Sequence, residues 1–175
     1  MTDKTNNFKE FAESFLSGTE WFLTGTAAFG GWTSESDVDV VLNINQKQRV
    51  LDLIQTSPSF SVEESLYFNG AVITSARPDK PLEVNIIFLE KRDFCVWWHA
   101  GKMMRTLPIV WNKTKRHGAF EVLRGLVKTV VDGVGDFSDA SPTVLLINHG
   151  YPAGNEGRLA MLRMDGNRSP SRTSW

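Results

Sequence analysis

Cysteine is almost missing from this sequence. Cys95 stands alone, so no internal disulfide can form and no second thiolate is on hand to build a metal site. A solitary cysteine reads as a small packing residue. No apolar run approaches the length of a membrane span, and the opening residues, MTDKTNNFKEFAESF, do not have the basic-then-apolar profile of a secretory leader. The expectation is a cytoplasmic protein with no membrane partner. Histidine is scarce too: His99, His117 and His149 show no ligand spacing with one another or with the acids, which points to surface or capping roles. There is no internal repeat, and a net charge of -1 is a poor sign for a nucleic-acid binder.

What is present suits one compact domain: 175 residues, 41% of them hydrophobic, are enough to fill a core. The near-neutral total hides a division. Residues 1–90 hold 13 acidic against 6 basic residues, a balance of -7, and residues 91–175 hold 7 against 13, a balance of +6. Two readings follow, solvated faces that attract each other or an acidic metal region facing a basic region for phosphate, and charge alone favours the first.

Apolar spacing supplies the elements. Phe8, Phe11, Ala12, Phe15 and Leu16 form the stripe of an amphipathic helix that Gly18 can close. Short strands are predicted over 20–24 and 37–44, with a helix over 46–56 that ends before Pro58. The segments 60–68 and 71–78 flank Asn69-Gly70, a dipeptide suited to a tight hairpin, and LEVNIIFL (82–89) reads as a further strand. Helices are expected over 91–106 and 111–131, the second with Phe120, Val122, Leu123, Leu126, Val127 and Val130 as its core stripe. TVLLINH (143–149) suits a late strand or buried segment, and the last dozen residues have the composition of a flexible end.

The chemistry concentrates in TGTAAFGGWTSESDVDVVL (24–42). Side chains alternate along a strand, so Asp37 and Asp39 project to one side while Val38 and Val40 face the other. Two neighbouring carboxylates repel, and such a pair shares a proton or binds a cation; hard oxygen ligands suit Mg²⁺ or Mn²⁺. Gly25 lets backbone approach a ligand, Thr26 adds a hydroxyl, and amides at the start of a following helix are donors for phosphate. Glu83 interrupts a later apolar strand, with Leu82, Val84, Ile86 and Phe88 on its opposite face, and three carboxylates converge if that strand lies beside the first.

Gly25-Thr26, the ten-residue spacer 27–36 and Asp37-Val38-Asp39 resemble the signature of the DNA polymerase beta-like nucleotidyltransferase superfamily, in its small, minimal form. Ala28, Gly30 and Ser36 fall where small members often carry the same residues, and Glu83 corresponds to the later acid. The chain departs from the pattern at Thr26, which keeps the hydroxyl of the usual Ser, and at Phe29, where many small members have Arg. The resemblance covers about residues 20–90.

It implies an α/β (α+β) fold: a small mixed sheet with flanking helices and a helical C-terminal half. Residues 1–90 would form the catalytic core, 91–150 a mainly helical part packed on it, and 151–175 a loop and tail, all within one domain. It implies NTP as substrate and Mg²⁺ or Mn²⁺ as cofactor, with two ions held by Asp37, Asp39 and Glu83. Glu83 would alternatively serve as general base, and Gly25, Thr26 and Ser36 would contact the nucleotide. The acceptor would be a protein, an RNA end or a small molecule. A non-catalytic binding or regulatory module on the same fold is the competing expectation. Lys102, Arg105, Lys113 and Lys115 are lesser candidates for triphosphate contact, the run 113–118 reading first as a solvated charged face. Trp97, Trp98 and Trp111 read as core or interface rather than as a platform for bases.

Overall fold

The structure, a computed structural model, describes residues 2–107 and 112–134. The segment 143–149, the tail, Trp111 and His149 lie outside the described residues.

Helix α1 (Thr2–Phe11) runs into one wide π turn (Ala12–Leu16), and the chain then alternates short strands and helices: β1 (Trp21–Leu23), α2 (Gly25–Phe29), β2 (Val38–Asn43) and α3 (Lys47–Gln55). Strands β3 (Phe60–Glu64), β4 (Ala71–Ser75) and β5 (Glu83–Leu89) follow, then α4 (Lys91–Thr106) and α5 (Lys113–Val134). The expected α/β architecture is therefore present, with a mixed sheet flanked by helices. No helix among the described residues is long and apolar enough to cross a membrane.

The five strands lie in the order β1-β2-β5-β4-β3. Only β2 and β5 are parallel; the other neighbours are antiparallel. β5 is thus inserted between two hairpin-like pairs, and its register sets Asp39 opposite Asn85 and Val40 opposite Ile86.

The two faces bury different halves of the chain. Val38, Val40, Leu42, Val84, Ile86 and Phe88 pack with Phe8, Phe11 and Leu16 from the N-terminal helix and with Val50 and Ile54 of α3. Phe22, Val41, Ile87 and Leu89 face Phe94, Trp98, Phe120 and Val127 of α4 and α5. Each such aromatic or aliphatic side chain contributes roughly 1.5–3 kcal/mol by leaving water. Cys95 is buried in α4, as a packing residue should be.

Two expectations are corrected. The core stripe of α5 is Phe120, Val127 and Val131, with Leu123 partly buried; Val122, Leu126 and Val130 are exposed. Both sets recur at helical spacing, so periodicity alone does not say which face meets α4. The tight turn between β3 and β4 is centred on Phe68 and Asn69, not on Asn69-Gly70: these two carry φ of 49° and 50°, and the Gly70 amide donates to Tyr67 O at 3.0 Å. Gly70 itself has φ -80°. Its value is steric, since a Cβ there would lie 2.6 Å from the carbonyl oxygen of Ile86 and 2.8 Å from that of Tyr67. Gly70→Ala is expected to destabilise the fold by about 1–3 kcal/mol, read as a lower midpoint in urea with an unchanged slope.

Candidate active site

Asp37 and Asp39 are brought together as the alternation of β2 requires, on the face shared with Val41 and turned toward the helical half. Asp37 is fixed through its backbone: its carbonyl accepts from Trp32 Nε1 at 3.1 Å. Lys4 of α1 ties the preceding loop by donating to Ser34 O at 2.9 Å and to Ser36 O. Burial holds the Lys4 ammonium below its ordinary pKa, and the charges of Asp37 and Glu83 act against that.

The Gly-Thr turn wraps the second acid. The Thr24 amide donates to Asp39 O at 3.0 Å, and Gly25 follows with φ +61°. A Cβ on Gly25 would sit 2.0 Å from Asp39 Oδ2, so only glycine leaves room for the carboxylate. Next to it the Thr26 hydroxyl is buried with no hydrogen-bond partner among the described residues, an arrangement that suits a ligand oxygen. Helix geometry leaves the first amides of α2 without intrahelical acceptors as well.

Asn85 is the side chain that sequence reasoning passed over. Its Nδ2 donates to Asp37 Oδ2 at 2.5 Å and to Asp39 Oδ1 at 3.1 Å, bridging the pair. The signal was present in EVNIIFL, where Asn85 is two residues from Glu83 and therefore on the same strand face. Glu83 stands at the first position of β5, exposed, opposite Thr74 of β4. Among the described residues no group of three His, Cys, Asp or Glu side chains is placed to hold a metal. Two carboxylates suit one Mg²⁺, which commonly takes one or two protein carboxylates and completes its shell with phosphate and water.

Burial and the neighbouring charge of Asp37 push the Asp39 carboxyl up to about 6, with Asn85 and Lys113 opposing. A folded-state value above the unfolded 3.8 means that the folded form binds the proton more tightly. The contribution is complete below pH 3.8 and is lost as pH rises through about 6. Metal-free protein is therefore expected to lose on the order of 2–3 kcal/mol between pH 4 and 7.5 from this group. Denaturant melts of wild type and Asp39→Asn across that range check it: the gap between them should grow with pH.

The acids open onto a cleft of about 270 Å³. Gly25, Thr26, Asp37 and Asp39 line one side, and Lys113, Arg116 and His117 from the first turns of α5 line another. The run 113–118 is accordingly more than a solvated charged face. Asn112 caps this helix, accepting from the Lys115 amide at 2.9 Å through Oδ1. Lys102, Arg105 and Lys115 are not among the residues lining the cleft, whereas Lys113 is. Ser36 also lies outside it: its hydroxyl accepts from Thr33 N at 3.0 Å and shapes the turn before β2.

The floor is aromatic. Phe29, Tyr67, Trp97 and Phe120 line the cleft, Trp97 meeting Phe120 edge-on at 5.2 Å. Trp97 and Trp98 are both the core residues expected, and Trp97 also reaches the cleft. Phe29, where the resemblance would place a cation, contacts Phe120 at 5.5 Å and fastens α2 to α5. Arg116 lies against Gly31, so positive charge reaches this side of the cleft from α5.

No protein-family model matches the chain, and no curated protein sequence matches it. Among solved structures, terminal uridylyl transferase 4 from Trypanosoma brucei with bound GTP aligns over 59% of this chain and 33% of its own, at 15% identity and a TM-score of 0.38. The chain thus spans about a third of that protein's length. The architecture itself is a five-stranded mixed sheet flanked by helices among the described residues.

Proposed function

We propose that this chain is a metal-dependent nucleotidyltransferase, moving a nucleoside monophosphate from an NTP to a hydroxyl acceptor with release of pyrophosphate. One observation carries the reading: Asp37, Asp39 and the Gly25-Thr26 turn share a cleft with the cations of α5. An acid pair that excluded its own partner atoms for structural reasons alone would not need a glycine at φ +61° and a buried, unpartnered hydroxyl beside it.

In this reading Asp37 and Asp39 ligate Mg²⁺ or Mn²⁺, which when bound supplies Lewis-acid neutralisation of phosphate oxygens. Thr26 and the first amides of α2 donate to the terminal phosphates, and Lys113 and Arg116 face them with positive charge. Trp97, Tyr67 and Phe120 offer the base an apolar wall. The acceptor oxygen bonds to the α-phosphorus as the α–β bridging P–O bond breaks, and pyrophosphate leaves with the electron pair. Glu83, exposed on the same strand face as Asn85, receives the acceptor's proton. Ser36 acts indirectly, through the turn that presents Asp37.

The test is incubation with Mg²⁺ or Mn²⁺, each α-labelled NTP and a cell lysate. Label on an acceptor or released pyrophosphate is expected from wild type and not from Asp37→Ala/Asp39→Ala. Identical behaviour of the two proteins with all four NTPs sinks the proposal. A second reading, a non-catalytic module on this fold, draws on the amide of Asn85 between the acids. A pure protein-interaction module would show no Mg²⁺-dependent NTP binding by calorimetry.

A further inference from the structure

Asn85 occupies the space that a cation shared by Asp37 and Asp39 would need. Parallel pairing of β2 with β5 sets it opposite Asp39, and a single nitrogen, Nδ2, donates to both carboxylates. An amide is neutral, so it satisfies the pair without cancelling its charge. Turning the amide by half a turn exchanges Nδ2 for Oδ1 while the strand stays in place, and the carbonyl oxygen is then a hard ligand aimed at the same point.

The charge available limits how many ions can enter. Asp37 and Asp39 together bring -2, which one divalent cation balances. A second cation at the spacing of about 3.5–4 Å seen in two-metal sites would repel the first with no further anion between them. Glu83, which the register runs alongside Asp37, does not fill that need: it stands exposed at the first position of β5 and forms no three-acid group with the pair among the described residues. Among the described residues no other His, Cys or carboxylate completes a group. The buried Thr26 hydroxyl with no partner marks the adjoining position as one for a ligand oxygen rather than for a metal.

Resting on the nucleotidyltransferase reading above, we infer that the side chains of this protein hold one divalent cation, ligated by Asp37, Asp39 and Asn85 Oδ1, and that Asn85 is what excludes a second. Any further cation at the reaction then arrives on the phosphates of the nucleotide.

Manganese titration of the full chain without nucleotide, followed by calorimetry and by the loss of the free-ion electron paramagnetic resonance signal, tests this. Wild type should bind one Mn²⁺ per chain. Asn85→Asp should take up a second ion and hold the first about tenfold more tightly, since ligand charge sets affinity for hard cations. Two ions bound by wild type overturn the inference, as does a folded Asn85→Asp variant that still binds only one. If wild type binds none while Asn85→Asp binds, the inference is overturned and the acid pair is still a metal site. If wild type, Asn85→Asp and Asp37→Asn are alike in binding no Mn²⁺, and no NTP binds either, the nucleotidyltransferase reading falls as well. The wild-type count decides the matter even if the variant does not fold.

Discussion

Asp39→Asn is expected to lower metal-dependent nucleotidyl transfer by roughly a thousandfold while leaving the metal-free protein at least as stable as wild type at neutral pH. The two halves of that result have one cause. Asp39 is partly buried beside a second carboxylate, and burial with that neighbouring charge disfavours its charged form, pushing the carboxyl up to about 6. An asparagine of the same shape removes that charge. On the proposed function it also removes a ligand for the cation, whose Lewis acidity would be worth several kcal/mol, and each 1.36 kcal/mol is a factor of ten in rate. Asp37→Asn should share the loss of rate, since both carboxylates accept from the same Asn85 amide and would share the same ion. Single-turnover transfer and thermal melting, run on the same preparations with and without Mg²⁺, check both halves. A melting temperature that falls with the activity would make Asp39 a structural residue instead.

Gly25→Ala is expected to destabilise the fold by about 2–4 kcal/mol and to remove activity with it. An alanine at φ +61° takes on the left-handed penalty of roughly 1–2 kcal/mol. Its Cβ would also meet Asp39 Oδ2 at 2.0 Å and Asp39 Cγ at 3.0 Å, so the carboxylate must leave its place beside Asn85. Gly118→Ala is the matched control: Gly118 lies within α5 and a Cβ there meets nothing within 4 Å. That change should stabilise by about 0.5–1 kcal/mol through helix propensity. Urea midpoints for the two variants should therefore move in opposite directions.

The elements were legible wherever one pattern dominated. VDVVLN and EVNIIFL carry β-branched and apolar residues that fit only strands, and the helix expected over 91–106 matches α4. The Gly-Thr turn and the acid pair were legible because their spacing is local. Asn85 was not, for a physical reason: which residue of β5 stands opposite Asp39 depends on register, and register between strands more than forty residues apart is fixed by packing on both faces rather than by any local signal. Glu83 and Asn85 share a strand face, so alternation alone could not choose between them. The exposed positions of α5 escaped for a related reason. Val122, Leu126 and Val130 and the buried Phe120, Val127 and Val131 both lie at helical spacing, and the docking of α5 on α4 selects between the two sets. The run 113–118 reads first as a solvated face because charge runs usually are, with Lys113 only a lesser candidate for phosphate, and the placement of the first turns of α5 is what brings Lys113 and Arg116 to the cleft.

The central position of β5 also orders the assembly of the fold in time. β3 and β4 meet across a short turn, and β1 and β2 pair within twenty-two residues of chain, so each can zip locally. β5 also zips locally, onto β4, so the long-range step is its docking against β2, where Asn85 meets Asp39 across 46 residues and completes the insertion. Closing a long loop costs entropy before its contacts repay it, and the helix bearing Lys113 joins later still along the chain. Until that insertion Asp37 and Asp39 remain hydrated and the Gly25 turn has nothing to wrap. The electrostatic strain of the acid pair is thus absent from the early folding nucleus, and a chain emerging from the ribosome meets it only once most of its core is already in place.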